Sequence, residues 1–578
     1  MRLMISPSKN AKSFYVIKSV QKNGKNTSEI VEKLGTETFI KETYGVDDAE
    51  AWARSHVNEL NAAEKAAKDV EHFVRFSTNE LIPAGKELSF NAGYLFLQKI
   101  YSQLGLPSIC KKIKKDNAFT YDLNAILSRL VYGRILFPSS KLSCFEQSKE
   151  LLEQTEFDLN LIYRALSVLA DNSDFIQAEL YKRSKKLVKR NTGVLFYDCT
   201  NYFFELKHED GLKQYGPSKE HRPNPIVQMG LFMDKSGIPL AFCINPENQN
   251  EQLSLKPLEQ QIMRDFELSK FVVCTDAGLS SDANRRFNNF GEISFITTQS
   301  IKKLKRSLKE WCLDCKGWQL EGSKKAYDIS EIEDTPENRN RIFYKQMLVE
   351  GYDEERDIAF DKTLIVTYSL KYKLYQQTIC ERQIERAKKY LQHPAQYDKH
   401  SVTDAKRFIK KTPVTNDGEI AEKAAYELNI NAIEEEAKYD GFYAVCTNLD
   451  DDPAEIAMIN HDRWEIEESF RIMKSEFDAR PVYLHRDDRI KAHFLTCFIS
   501  LMIYRILEKQ LDSSFTCEEI INTLRKMNVR KVGEYGYIPN YTRTELTDAM
   551  HDNAGFRTDN ELTTPKAMAG IIRRSKGL

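Results

Sequence analysis

Net charge and long apolar runs are what this sequence of 578 residues lacks most clearly. Lys and Arg total 84 and Asp and Glu total 85, which gives a formal net charge of −1. That balance excludes a uniformly basic protein that coats nucleic acid, although it leaves room for a local basic channel. The longest apolar stretch, Phe494–Tyr504, is too short to span a bilayer, so it predicts a buried core helix and no membrane partner.

Several short functional motifs are also missing. The sequence contains no Walker A, GxGxxG, HExxH or GxSxG pattern, which removes the sequence evidence for those nucleotide, metalloprotease and hydrolase sites. Its first 18 residues contain no apolar run of signal-peptide length, so we expect a cytoplasmic location.

The eleven cysteines are scattered, and many lie in apolar runs, which predicts reduced core residues rather than disulfides. Cys312 and Cys315 alone have the spacing of a zinc-ligand pair. Because no second such pair and no nearby histidine pair accompany them, a structural role is favoured, and a zinc site is the alternative.

Apolar periodicity divides the chain into helical and strand-rich regions. Helical patterns dominate the region before residue 190, whereas continuous apolar runs after it predict strands buried on both faces. The predicted parts, in chain order, are a β-hairpin and helical segment expected to bind DNA, an all-helical domain, an α/β core in two pieces, an insertion between those pieces, and a C-terminal tail: residues 1–89, 90–190, 191–299 plus 441–510, 300–440 and 511–578.

Two aspartates accompany the predicted core strands. Asp198 interrupts the apolar run VLFYDCTNYFF, and Asp276 directly follows the run FVVCT. Asp is a common turn residue, so a turn role is the favoured interpretation of Asp276 taken alone. For Asp198, inside an apolar strand, structural and functional interpretations stay equally open. Strand ends in open α/β sheets are where binding sites assemble.

A single helix is predicted over residues 452–478, because Asp452 can cap it and Pro453 suits its first turn. At about 100° per residue, one edge of its apolar stripe carries three charged side chains. These are Arg463, Glu467 and Lys474.

Glu465 and Glu468 fall on the solvent side of the same predicted helix, so Glu467 alone is expected to face the core. A carboxylate in that position is costly unless it is paired or binds a cation. The alternative is a partly buried salt bridge between Glu467 and Arg463, four residues earlier.

Asp198, Asp276 and Glu467 could converge on one point. Carboxylates that lie so near to each other raise each other's pKa unless divalent cations lie between them. Mg²⁺ prefers oxygen ligands, and two such ions can assist an in-line displacement at phosphorus. Arg463 and Lys474, on the same helix edge as Glu467, could hold phosphates.

These residues resemble the acidic triad of bacterial DDE insertion-sequence transposases of the cut-and-paste class. The triad residues are Asp198 in FYDCTNYFFE, Asp276 in CTDAGLSS and Glu467 in RWEIEESFRIMK, separated by 78 and 191 positions. The class carries a β-rich insertion before the glutamate and a Tyr-Arg-Glu-Lys helix signature. Arg463, Glu467 and Lys474 match that signature, whereas Asn460 stands where the class has tyrosine.

The resemblance implies an RNase H-like α/β core with a β-rich insertion, preceded by the β-hairpin segment and the all-helical domain. It implies two Mg²⁺ or Mn²⁺ ions held by the triad, with Arg463 and Lys474 on phosphates. The expected reaction is DNA cleavage at terminal inverted repeats to a 3′-OH, followed by attack of that 3′-OH on target DNA. A hairpin intermediate at the element end is typical of the class.

The expected partner is double-stranded DNA, bound by a homodimer in a synaptic complex, in a bacterial cytoplasm and on the nucleoid when DNA is bound. Two alternatives remain: a catalytically silent protein that binds element ends, and a metal-dependent nuclease without strand transfer.

Four basic clusters are candidate phosphate contacts, although a solvated helix face is the favoured interpretation of each: residues 111–115, 182–190, 302–309 and 406–411. Trp311 and Trp318 could stack on an unpaired base or pack in a core.

Overall fold

The computed structural model describes the whole chain except residues 8–11, 23–24, 67–72, 75, 155, 206–207, 217–222, 290, 355–356, 393–403 and 415–422. The chain forms two compact units, Met1–Ala84 and Gly85–Leu578. The Asn-Gly turn expected at residues 23–24 lies outside the described residues. The finer domain boundaries after residue 85 stay predictions.

The unit Met1–Ala84 is a three-stranded antiparallel sheet followed by two helices. Its elements are β1 (Arg2–Pro7), β2 (Lys12–Lys22), β3 (Lys25–Thr36), α1 (Glu37–Tyr44) and α2 (Ala49–Ala66). The side chain of Thr36 caps α1, and Gly45 ends it with φ 64°, a left-handed conformation that glycine adopts without strain. Phe14 and Val16 of the sheet pack against Ile40 of α1 in a core of their own.

The described helices of Gly85–Leu578 are α3 (Tyr94–Gln103), α4 (Leu106–Asp116), α5 (Leu123–Leu136), α6 (Lys141–Gln147), α7 (Leu159–Asp171), α8 (Ser173–Ser184), α9 (Gln252–Asp265), α10 (Asp282–Phe287), α11 (Arg306–Leu313), α12 (Pro336–Arg339), α13 (Leu370–Gln392), α14 (Ile430–Ala437), α15 (Pro453–His461), α16 (Trp464–Ser475), α17 (Asp487–Gln510), α18 (Cys517–Lys526), α19 (Glu545–Ala554) and α20 (Pro565–Ser575). Its described strands are β4 (Ser89–Asn91), β5 (Val194–Phe203), β6 (Ile226–Asp234), β7 (Pro239–Pro246), β8 (Phe271–Thr275), β9 (Ile293–Thr298), β10 (Gln319–Leu320), β11 (Phe343–Asp353), β12 (Ile358–Tyr368), β13 (Ile409–Val414), β14 (Lys423–Leu428), β15 (Phe442–Thr447), β16 (Asn528–Val532) and β17 (Gly536–Pro539).

A nine-stranded mixed sheet organises this second unit, in the order β10-β11-β12-β15-β9-β8-β5-β6-β7. Strands β5, β8 and β9 run parallel, and the other neighbours pair antiparallel. The strands β10 to β12, which belong to the predicted insertion, continue the same sheet through β15. The prediction of a mixed α/β fold is therefore confirmed at the level of a large sheet with many helices.

Strand β5, in the interior of the sheet, is buried on both faces, as its continuous apolar run predicts. Phe196 and Tyr202 face the main core, where α16 and α17 pack. Leu195 and Tyr197 face a second cluster that includes Leu258 of α9. Alternation along the strand therefore assigns every β5 side chain to one of two packed layers.

Helix α17 is the main core helix. It has 24 residues and is therefore longer than the apolar stretch 494–504. By length and composition alone it could cross a membrane. However, 94% of its most apolar 18-residue window is buried inside the structure. The interpretation as a core helix agrees with this burial.

Candidate active site

Asp198 lies in the middle of β5 and is the one residue of that strand that is not fully buried. Its Oδ1 accepts the backbone N–H of Cys199 at 2.7 Å. Because side chains alternate along a strand, Asp198 shares its face with Phe196 and Thr200, on the side of the sheet covered by α16.

Asp276 is the first residue after β8, and the structure places it beside Asp198. The parallel register pairs Tyr197 with Thr275, so Asp198 and Asp276 each directly follow the last paired position on neighbouring strands. Asp276 Oδ1 also accepts the backbone N–H groups of Gly278 at 3.0 Å and Leu279 at 3.1 Å. The turn role is thus confirmed, and it fixes the carboxylate at the strand end.

The single helix expected over residues 452–478 is wrong. The chain forms α15 and α16 with a break at Asp462 and Arg463. Asp462 ends α15 by donating its N–H to Met458 O at 3.1 Å, and its own carbonyl accepts the N–H of Glu465 at 3.3 Å. An angular count that runs through this break therefore does not assign the faces of α16 correctly.

The predicted burial of the three glutamates is consequently reversed. The side chain of Glu467 is 67% exposed, whereas those of Glu465 and Glu468 are 19% and 27% exposed. Glu465 turns towards Arg505 of α17 at 3.6 Å, and Glu468 pairs with Arg471 at 2.6 Å. The buried Arg505 therefore accounts for the inward position of Glu465, whereas the partner of Glu468 is itself half-exposed.

Arg463 reaches from the helix break to the sheet, and its side chain is only 12% exposed. Its Nη1 donates to Thr298 Oγ1 at 3.3 Å, and the parallel register of β9 with β8 places Thr298 beside Asp276. Its Nη2 lies 3.9 Å from Glu467 Oε1, so the salt bridge that is the alternative role of Glu467 is present. Within the described part of the chain, Arg463 Nε has no hydrogen-bond partner.

Asn460, Tyr443, Thr298 and Cys274 form a buried polar network beneath Arg463, which we call the Tyr443 network. Asn460 Nδ2 donates to the Tyr443 hydroxyl at 2.5 Å, and Cys274 Sγ donates to Asn460 Oδ1 at 3.2 Å. The Tyr443 hydroxyl lies 2.8 Å from Thr298 Oγ1, and burial raises the pKa of Tyr443. Sequence reasoning missed Thr298 and Tyr443, because both lie in strand runs that read as core.

Lys474 lies on α16 above β5. Its Nζ donates to Thr200 Oγ1 at 2.5 Å and lies 5.7 Å from the ring centre of Tyr202. Since Thr200 is two residues from Asp198 on the same strand face, the ammonium stands near the first carboxylate. Thr200 carries no sequence signal that would single it out.

The carboxylates of Asp198 and Asp276 are ligands of the kind that Mg²⁺ and Mn²⁺ prefer, because these ions favour hard oxygen ligands. Among the described residues, however, no group of three or more His, Cys, Asp or Glu side chains is close enough to hold a metal ion. The structure therefore brings Asp198 and Asp276 together and leaves Glu467 paired with Arg463.

Cys312 packs in the apolar core around β11 and β12, and burial raises its pKa to about 11. Packing of Cys312 in this apolar core favours the structural interpretation of Cys312 and Cys315. Trp318 is fully buried in the same core and donates its indole N–H to Asp314 O at 2.8 Å, so it packs rather than stacks on a base. Trp311 is partly buried against that core.

The basic clusters differ in how much charge they leave to solvent. Arg190, at the end of cluster 182–190, is buried in an ion pair with Asp234 and cannot contact DNA. Arg183 of the same cluster pairs with Glu179 at 3.1 Å. In cluster 111–115 only Ile113 is buried, as on an amphipathic helix with a solvated basic face.

The fold and the site define a mixed α/β protein with two adjacent aspartates at the end of a parallel strand pairing. Residues 203–503, a little more than half of the chain, match the family model described as the transposase DDE domain. The chain therefore belongs to the DDE transposases. The matched range includes Asp276, Arg463, Glu467 and Lys474 and begins just after Asp198.

Two solved transposase structures show limited similarity to the chain. The piggyBac transposase synaptic complex with hairpin DNA is 9% identical, with 84% of each chain covered and a TM-score of 0.34. The Mos1 transposase paired-end complex with its left transposon end is 13% identical, with 42% of this chain and 64% of that chain covered and a TM-score of 0.11. Scores below 0.5 carry no argument about this chain. No curated protein sequence matches it.

Proposed function

We propose that this chain is the transposase of a bacterial insertion sequence of the cut-and-paste class. It cleaves DNA at the terminal inverted repeats of the element and joins the 3′-OH ends to target DNA. The observation that carries this proposal is that Asp198 and Asp276 occupy matching positions on neighbouring strands, with the helix of Glu467 over the same face of the large mixed sheet. An RNase H-like core is part of the proposal. Membership of the DDE transposases supports it.

Asp198, Asp276 and Glu467 are proposed as ligands of two Mg²⁺ or Mn²⁺ ions. When bound, such ions lower the barrier to displacement at phosphorus by activating the attacking oxygen and stabilising the leaving one. Arg463 and Lys474 donate hydrogen bonds to nonbridging phosphate oxygens, which holds the scissile phosphate above the two aspartates.

The reaction comprises two displacements of the same kind. In cleavage, a water oxygen attacks phosphorus at the element end, the bond from phosphorus to the 3′ oxygen breaks, and the 3′ oxygen leaves as a hydroxyl. In joining, that 3′ oxygen attacks a phosphorus of target DNA and expels a target 3′ oxygen. A hairpin at the element end, formed by the same displacement on the opposite strand, belongs to this proposal.

The Arg463–Glu467 ion pair fits a site that assembles on DNA. At 3.9 Å with Glu467 largely exposed, the pair contributes little by itself. A phosphate that binds Arg463 bidentately replaces this weak interaction with a stronger one and releases Glu467 towards the aspartates. The proposal includes a homodimer that joins two element ends in a synaptic complex in the bacterial cytoplasm, on the nucleoid.

Cleavage by the purified full-length chain tests the assignment. The substrate is DNA from the regions that flank the coding sequence, with Mg²⁺ or Mn²⁺ added, and nicks are mapped at nucleotide resolution. Asp198→Asn, Asp276→Asn and Glu467→Gln are each expected to lower the rate by at least about a thousandfold, since each removes a proposed metal ligand. Glu468→Gln on the same helix is the matched control and retains the rate.

Two outcomes favour the alternatives. Full cleavage by all three variants, with wild-type metal dependence, rejects the triad. A wild-type chain that shifts the DNA in gels but never nicks it is a silent end-binding protein. Supplying a pre-cut 3′-OH end with a plasmid target separates a transposase, which joins the two, from a nuclease, which does not.

A further inference from the structure

We infer that Tyr443 is a positioning residue for Arg463 and acts through Thr298, so that a phenol from the sheet orients the phosphate-binding guanidinium. This inference rests on the proposed function of the site. It concerns residues of β9 and β15 that lie outside the acidic triad and outside the helix that carries Glu467.

The hydroxyl of Thr298 connects Tyr443 to Arg463 within the Tyr443 network. Asn460 Nδ2 can only donate, so the Tyr443 oxygen accepts from it at 2.5 Å. The Tyr443 hydroxyl also forms a hydrogen bond with Thr298 Oγ1 at 2.8 Å, in which either oxygen can be the donor. Thr298 Oγ1 accepts from Arg463 Nη1 at 3.3 Å and from Asn460 Nδ2 at 3.4 Å, so this oxygen connects the guanidinium to the phenol.

The orientation of Asn460 is fixed at both ends of its amide. Its oxygen accepts from the Cys274 thiol at 3.2 Å while its nitrogen faces Tyr443, and the residue is only 2% exposed. A buried amide in this position cannot rotate without losing both partners. Cys274, on β8 two positions before Asp276, therefore links the network to the strand that carries the second aspartate.

The consequence for Arg463 is geometric. One Nη is held on β9 beside Asp276, while Nη2 points towards Glu467 and Nε has no partner in the described residues. A guanidinium anchored by one corner presents its remaining N–H groups in a fixed plane, which is what bidentate phosphate binding requires. Without the Tyr443 hydroxyl, Thr298 loses the partner that fixes the rotation of its own hydroxyl, and the Thr298 anchor of Arg463 is weakened.

Double-mutant analysis of single-turnover cleavage at saturating DNA tests the inference. Tyr443→Phe removes one oxygen, and we expect it to lower the cleavage rate by about tenfold, the worth of one well-placed hydrogen bond. In the Arg463→Ala background the same change is expected to lower the residual rate less than about twofold, because the group it positions is gone. The apparent Kd for DNA should change less than the rate.

Three further variants keep the test decisive. Tyr372→Phe is the matched control, since Tyr372 packs edge-on against the Tyr443 ring at 6.3 Å, outside the network. Thr298→Val should repeat the loss, and Thr298→Ser should restore the rate. Equal losses from Tyr443→Phe in both backgrounds, or an equal loss from Tyr372→Phe, would overturn the inference while leaving the triad intact.

Failure of the proposed function gives a different pattern. If the wild-type chain binds DNA without nicking it, the same four-variant cycle is measured on DNA affinity and its salt dependence. Loss of affinity from Tyr443→Phe only when Arg463 is present supports the positioning role. Additive losses, or no effect in either background, reject it.

Discussion

At the scale of the residue, the most costly side chain outside the candidate site is Glu259 of α9. It is fully buried, its Oε1 accepts from Asn288 Nδ2 at 3.0 Å, and its Oε2 has no partner within the described residues. Burial raises its pKa to about 8, from an ordinary value of 4.5. The carboxyl is therefore protonated in the folded chain at neutral pH and ionised in the unfolded chain.

This shift makes stability depend on pH. Between pH 4.5 and pH 8 the folded chain binds one proton more than the unfolded chain at this group, so its contribution falls as pH rises, by about 1.4 kcal/mol per pH unit, and levels off above pH 8. Glu259→Gln is expected to flatten the curve and to stabilise the chain at pH 8. Denaturant unfolding at several pH values measures this, with the exposed Glu292→Gln as control; parallel curves for Glu259→Gln and wild type would contradict it.

Single residues also show where sequence reasoning is strong and where it fails. Asp276 reads as a turn former and is one, because its bonds to Gly278 and Leu279 are local. Glu467 was expected to face the core, and it is exposed. The break before α16 and the pairing of Glu465 with Arg505 of a distant helix cannot be read from a local angular count.

At the scale of the element, caps are predictable and interruptions are not. The capping box at Thr516 and Glu519 is present at the start of α18, as the local sequence indicates. Asp452 likewise caps α15, through a 2.7 Å bond from the Ala454 N–H. The break between α15 and α16 coincides with Asn460 and Arg463, whose side chains are anchored on β9 and β15. Such anchors come from residues far away in sequence.

The Thr516 cap gives a prediction at this scale. Thr516→Ala removes the side-chain acceptor of the Glu519 N–H and the hydroxyl that donates to the Glu519 carboxylate, while the backbone N–H of residue 516 still donates to that carboxylate. We expect the free energy of unfolding to fall by about 1 kcal/mol, the usual value of an N-cap. Thr516→Ser keeps the hydroxyl and should retain most of the stability. Thermal unfolding measures both, and an equal loss from Thr516→Ser would show that the methyl group rather than the cap matters.

At the scale of the whole molecule, the two predicted peripheral segments behave differently. The strands β10 to β12 of the predicted insertion continue the large sheet, and β12 pairs with β15 along six residues. By contrast, the core cluster of Met1–Ala84 is made only of residues of that unit. The apolar pattern of the sequence distinguishes both segments from the α/β core. A change of pattern does not indicate which strands on either side of it form hydrogen bonds with each other.

Removal of each segment should therefore have opposite effects on folding. The chain 85–578 keeps the large sheet, α17 and its four core clusters intact, so we expect a cooperative unfolding transition with an unchanged midpoint. Deletion of 300–440 removes β12 and leaves β15 paired only with β9, which exposes one edge of β15 and favours aggregation. Because the segment 1–89 is predicted to bind DNA, 85–578 should bind element DNA more weakly while it stays folded. Calorimetry and fluorescence anisotropy measure the two effects separately. If the chain 85–578 lost its cooperative transition, the second unit would need the first in order to fold. If the folded chain 85–578 kept full DNA affinity, recognition of the element ends would belong to the helical domain or the core.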